Sequence, residues 1–228
     1  DTLAKIIGQD QALLGRILRI ANSPFYRGRI PTSTLQAAIV RLGPALVRDL
    51  VISLSTQSLF KEFDTLEQEM WNHSLASGFG AQLVAAEAQV ANPDEAFVAG
   101  LMHDVGKTIL LNHNSDYANL LQQANADNKF HHEAEYEAYG FDHADVGGVL
   151  MGKWDLADSL VESVRFHHRI DALEEAPESA RSLICVVAVA DALSYSLGLS
   201  IEGVVREFQL EENPAAKILG LTEDKIEK

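Results

Sequence analysis

The sequence predicts an all-α protein. Apolar residues recur at spacings of three and four along nearly the whole chain, and β-branched alternation bounded by turn residues is scarce. Helix-boundary residues such as Asn22-Ser23-Pro24, Gly43-Pro44 and Asn92-Pro93 fall between those runs. Leu3, Ile6 and Ile7 predict a first helix, and Leu13, Leu14, Ile17, Leu18 and Ala21 a second that stops at Asn22-Ser23-Pro24. That tripeptide reads as a corner in which the Asn and Ser side chains bond nearby backbone before the proline. Thr34 to Leu42 forms a third helix ended by Gly43, and Pro44 suits the first turn of a fourth carrying Leu46, Leu50 and Leu54. A hinge is expected around Phe63-Asp64-Thr65. Beyond it the periodicity predicts helices near 66–89, 94–112, 115–127, 143–153, 156–168, 180–197 and 201–208. The stretches 128–141 and 169–179 are polar, lack a period and read as loops.

Composition narrows the possibilities. With 228 residues, 47% apolar and 22% charged, the chain has the balance of a folded soluble protein. The longest aliphatic run, Leu183 to Ala190, is shorter than the roughly 20 residues a membrane span needs. No signal peptide precedes Asp1-Thr2-Leu3, so a cytoplasmic location without membrane attachment is the expectation. The start without Met and the charged end predict a piece of a longer protein. A single cysteine, Cys185, excludes an internal disulfide and a Cys-rich zinc module, and its apolar surroundings make it a core residue. The net charge of −15 is uneven: residues 1–60 carry seven basic and three acidic side chains, +4, leaving −19 for the rest. Nucleic-acid binding therefore ranks last among the functional readings, although Gly43-Pro44 between two helices has helix-turn-helix spacing.

The chemistry-bearing residues lie in the acidic part. Asn92-Pro93-Asp94-Glu95 starts a helix that runs into Gly100-Leu101-Met102-His103-Asp104-Val105-Gly106-Lys107. A carboxylate in such an apolar run needs a cation, and Lys107, three residues on, is one candidate. From this segment alone an Asp–Lys pair beside a core histidine and a metal site both remain open. Further histidines add to the pattern. His73 follows Trp71 within a helix, His143 opens one, and His167-His168 close one beside its apolar stripe. Asp191 interrupts the aliphatic run one helical turn after Val187. Each has a structural explanation by itself, but together, on five inward-facing helices, they describe a metal site in a bundle core. His131-His132, in a polar stretch, reads as an exposed loop or helix start, and His113 as a helix C-terminal cap.

This ordered set resembles the HD superfamily of metal-dependent phosphohydrolases, and within it the HDOD domain of bacterial signalling proteins. The likeness rests on Asp10 to Leu13 with Ile17 to Ser23, on Thr34 to Gly43, and on Gly100 to Lys107 followed by Asp142 to Gly147 and Trp154. It implies an HD-type helical bundle, and the change in charge with the hinge near Asp64 predicts its bounds: an N-terminal helical lobe over 1–64, the bundle over 65–200 and a C-terminal helical appendage over 201–228. Many HDOD domains have lost part of the metal set, but the fuller set here is similar to that of the related HD-GYP phosphodiesterases, and that likeness implies one divalent ion held by His73, His103, Asp104 and Asp191, and a second held by His143, His167 and His168, with Asp104 bridging and Glu69 as a further carboxylate. His and Asp donors suit Fe, Mn, Zn or Ni. Two such ions would make water nucleophilic near neutral pH while holding phosphoryl oxygens, with Asp104 central and Lys107 offsetting charge on the phosphate. The Gly-Tyr-Pro that marks HD-GYP phosphodiesterases is absent; Arg169-Ile170-Asp171 follows His167-His168, which argues against cyclic-di-GMP hydrolysis. The resemblance thus implies a signalling output module whose partners are other signalling domains or proteins, or alternatively an active phosphohydrolase acting on a nucleotide-like, phosphate-containing small ligand.

Overall fold

The computed structural model describes residues 7, 11–23, 26, 28 and 31–222. Those residues form helices and no strand, and the chain divides into two compact units, 1–59 and 60–228. The helix expected around Leu3 and Ile6 lies outside the described residues, as do Pro24 and the last six positions; Ile7 alone of that helix is described, and it is helical and buried.

The first unit contains α1 (Gln11–Ala21), α2 (Leu35–Leu42) and α3 (Pro44–Gln57). Thr34 caps α2 by accepting from the Ala37 N–H, and Gly43 ends it at φ 84°, a conformation that favours glycine. Pro44 then occupies the first turn of α3, where its missing N–H costs nothing. Ile7, Ile17, Ala21, Ala38 and Val47 form the unit's core. The Asn22 side chain makes a longer-range tie than a local corner. Its Nδ2 donates to Thr32 O and its Oδ1 accepts from Thr32 N, both at 2.7 Å. One amide thereby closes the ten-residue excursion between α1 and α2.

The second unit contains α4 (Thr65–Ala88), α5 (Pro93–Met102), α6 (Val105–His113), α7 (Tyr117–Ala126), α8 (His131–Tyr139), α9 (His143–Lys153), α10 (Asp158–Phe166), α11 (Glu178–Ser196) and α12 (Pro214–Leu219). Asp64 caps α4 and Asn92 caps α5 with side-chain oxygens, as expected of those residues. At the centre lies α11, which buries Leu183, Ile184, Val186, Val187 and Val189 against α4, α10 and α12. Full burial of each such side chain contributes about 1.5–3 kcal/mol. Residues 178–196 have the length and apolarity of a membrane span, but 61% of that helix is buried inside this fold.

Five expectations change. The helix expected over 94–112 breaks at His103-Asp104. The His103 ring takes the Gly100 carbonyl that a continuing helix would use, and Lys107 N bonds Asp104 O across a tight turn. The loop expected over 128–141 holds α8, and that over 169–179 holds a 3-10 turn, Ile170–Glu175. The helix expected over 201–208 reduces to a 3-10 turn, Ile201–Gly203, because Glu202 and Gly203 both adopt positive φ. His167 and His168 follow the end of α10 instead of closing the helix.

Close backbone approach locks the broken helix in place. A Cβ at Gly106 would meet the His143 carbonyl, so only glycine lets α6 reach α9. Gly106→Ala is therefore expected to cost about 1–3 kcal/mol or more in denaturant unfolding. Gly152→Ala, with open space around it, should be neutral or up to about 1 kcal/mol stabilising. In the first unit, Asn22→Ala leaves Thr32 N without its partner and should cost about 1–3 kcal/mol, with no change in metal content by elemental analysis.

Candidate metal centre

The break after α5 turns His103 and Asp104 inward, α4 supplies His73, the start of α9 supplies His143, the end of α10 supplies His167 and His168, and α11 supplies Asp191. These side chains converge in two groups whose donor atoms lie within 4.8 Å of one another: Asp104, His143, His167 and His168, and His73, His103 and Asp191. Asp104 joins them. Its Oδ1 lies 3.0 Å from His143 Nε2 and 4.0 Å from His167 Nε2. Its Oδ2 lies 3.4 Å from the Nε2 atoms of both His73 and His103. Asp191 Oδ1 completes the second group, 3.1 Å from His73 Nε2 and 3.6 Å from His103 Nε2.

The rings are held from behind. His73 Nδ1 donates to Leu199 O at 2.7 Å, His103 Nδ1 to Gly100 O at 2.7 Å and His167 Nδ1 to Val164 O at 2.6 Å. A carbonyl can only accept, so each Nδ1 carries its hydrogen and each Nε2 lone pair points inward. His143 Nδ1 is held by the Glu135 carboxylate at 2.7 Å, which also accepts from the His143 backbone N–H and from Tyr117 Oη. Fixing a ligand histidine through a second group of this kind is how proteins orient imidazoles toward a metal.

The donor set fits a cation. The Nε2 atoms of His73 and His103 are 3.2 Å apart, and those of His143 and His168 are 3.1 Å apart. Facing lone pairs at such distances need a proton or a metal between them. Asp104 Oδ1, Asp191 Oδ1 and His167 Nε2 are buried, and with neutral rings, whose Nε2 atoms carry no hydrogen, no donor satisfies them. A polar atom left so costs about 1–3 kcal/mol, more when charged. One or two divalent ions would satisfy all three.

Electrostatics point the same way. Burial works to raise Asp104, but His103, Lys107 and His143 outweigh it and hold this carboxyl well below its ordinary range. Asp191 is likewise held well down: burial opposes ionisation, and His103 and His73 overcome it. Burial and neighbouring histidines push His167 and His168 well down, leaving neutral donors. Burial opposes charge on His143 too, but Glu135 reverses this and raises it to about 9. Glu135 itself is brought down to about 2, its burial overcome by His143. The centre therefore draws positive charge, as protons or as metal. Lys107, buried with its Nζ 2.7 Å from Asp104 Oδ2, supplies one fixed cation.

Three side chains depart from expectation. Glu69 belongs to neither group; its carboxylate accepts from the Glu202 backbone N–H at 2.9 Å. His131 opens α8, one of the two expected placements, but it is buried and bonds Asn125 Oδ1. His132 stacks on the His168 ring with centroids 4.1 Å apart. Glu135 was missed because α8 turns polar residues inward (His131 and Glu135 beside Ala134) and so shows no apolar period. A cavity of ≈ 450 Å³ reaches the centre, lined by Lys107, His168 and Asp191 together with Phe130, Tyr195, Arg206 and Phe208.

The model of the HDOD domain matches residues 1–170. An HDOD domain protein of unknown function from Geobacter sulfurreducens superposes with TM-score 0.82 at 28% identity, covering 96% of this chain and 75% of that one. A protein from Shewanella amazonensis SB2B described as a phosphohydrolase shares the fold at TM-score 0.70 and 22% identity, covering 97% and 82% of the respective chains. An uncharacterised protein of Treponema pallidum is 25% identical over 191 residues, 83% of this chain, which spans only 37% of that relative's length.

Glu135 supplies the test of the centre's supporting shell. Glu135→Gln should weaken binding of a divalent ion by about 10-fold or more, measured by competition with a chelator. His113→Ala, an exposed ring bonded to Ile109 O, should leave it unchanged.

Proposed function

This chain belongs to the HDOD domain family, and from that premise we propose that it is a metal-binding module with a two-ion centre acting on phosphate esters. The observation that carries the reading is the two-sided placement of Asp104, one oxygen toward each histidine group. His73, His103 and Asp191 would hold one ion, His143, His167 and His168 the other, with Asp104 shared. Fe, Mn, Zn and Ni all suit these nitrogen and oxygen donors. When bound, such ions polarise a phosphoryl group and make water nucleophilic near neutral pH.

The chain's own residues prepare that chemistry. Glu135 fixes the His143 tautomer and so keeps Nε2 free to act as a ligand. Lys107 holds Asp104 Oδ2 and also lines the cavity, where its ammonium would offset charge on a phosphate. Burial of His73, His103, His143 and His167 keeps bulk water from competing for the donors.

A second reading, an output module that binds metal and relays a state to attached domains or partner proteins, draws support from length. The chain matches only part of its longer Treponema relative. The two readings separate on turnover. Untagged wild type grown with added metal is expected to carry one or two divalent ions by elemental analysis, and Asp104→Ala to carry none. On a panel of phosphomonoesters and phosphodiesters, wild type should turn over at least one compound, and Asp104→Ala should lose more than about 100-fold, beyond what a supporting residue costs. Bound metal with no turnover on the panel favours the output reading; metal-free wild type of normal stability contradicts both.

A further inference from the structure

The cavity beside the centre contains a cation that the centre does not use. Lys107 belongs to the centre, its Nζ 2.7 Å from Asp104 Oδ2. Arg206 is different. Its guanidinium lies 4.0 Å over the Phe130 ring and 5.8 Å from that of Tyr195, and its Nη2 donates to Lys129 O at 2.8 Å. It has no carboxylate partner among the described residues, in a chain with 33 acidic and 18 basic side chains. Glu207 and Glu212 line the same cavity, yet neither pairs with it. Cation–π contact holds the guanidinium in place without neutralising it. A planar group held this way is suited to a phosphate or carboxylate. Arg206 also lies beyond the residues that match the family, on the non-helical segment after the Ile201–Gly203 turn.

We infer that Arg206 receives a second anionic group of the ligand, so that the cavity selects compounds with two phosphate-type charges, such as diphosphates, over single phosphates. This rests on the reading above, in which the metal centre holds the first phosphate.

The test uses metal-loaded protein freed of unbound ion and titrated calorimetrically with inorganic phosphate and with methylenediphosphonate, metal content being measured again afterwards. Wild type should prefer the diphosphonate. Arg206→Gln should weaken it at least about tenfold and leave phosphate within about twofold, with metal content unchanged. Arg206→Lys, which keeps the charge but not the planar fork, should bind the diphosphonate more weakly than wild type and more tightly than Arg206→Gln. Equal affinity of wild type for the two probes, or an Arg206→Gln that melts like wild type and weakens both alike or neither, would overturn the inference alone. A wild type that holds no metal overturns both the inference and the reading beneath it.

Discussion

One buried carboxylate organises the second unit. Asp104 sits at the break between α5 and α6 and presents an oxygen to each histidine group, with a buried lysine on one of them. An ion of that kind in a protein interior costs several kcal/mol unless it is met on all sides by positive charge or donors. Much of the surrounding architecture meets that demand. The helix breaks so that Asp104 faces inward, Gly106 lets α6 approach the His143 carbonyl, and Glu135 on α8 holds His143 from behind. The aliphatic burial of α11 is offset in part by Asp191, whose oxygen joins the same centre.

The same field links stability to function. Groups that would repel each other in a dry core become a binding site once a divalent ion lies between them, so metal affinity and folding free energy are coupled. The centre is also reached by a cavity whose lining is mixed in charge, with Lys107 tied to Asp104 and Arg206 held over Phe130. A strongly acidic chain repels anions in general, and a few placed cations decide which anions approach.

Much of this was legible in the sequence, for physical reasons. His73, His103, Asp104, His143, His167, His168 and Asp191 are costly residues in apolar helical runs, and that cost marked them; the structure brings all seven together. Helix starts at Thr34, Asn92 and Pro44 were legible because capping chemistry is local. What escaped was non-local. The helix α8 buries His131 and Glu135, so hydrophobic periodicity could not reveal it, and with it went the partner of His143. Arg206 escaped because its neighbour Phe130 is 76 positions away and its own segment reads as helix until positive φ at Glu202 and Gly203 ends it. Glu69 stands one helical turn from His73, but spacing could not show that the Glu202 N–H claims it.

The two-ion centre requires a cation on each side of Asp104. Crystals of protein grown with added metal, measured at the absorption edge of the bound element, test this directly. Two anomalous peaks, one among His73, His103 and Asp191 and one among His143, His167 and His168, each in contact with an Asp104 oxygen, are the expected result. An ordered centre without any anomalous peak, its nitrogens and oxygens bridged only by water or protons, would contradict it.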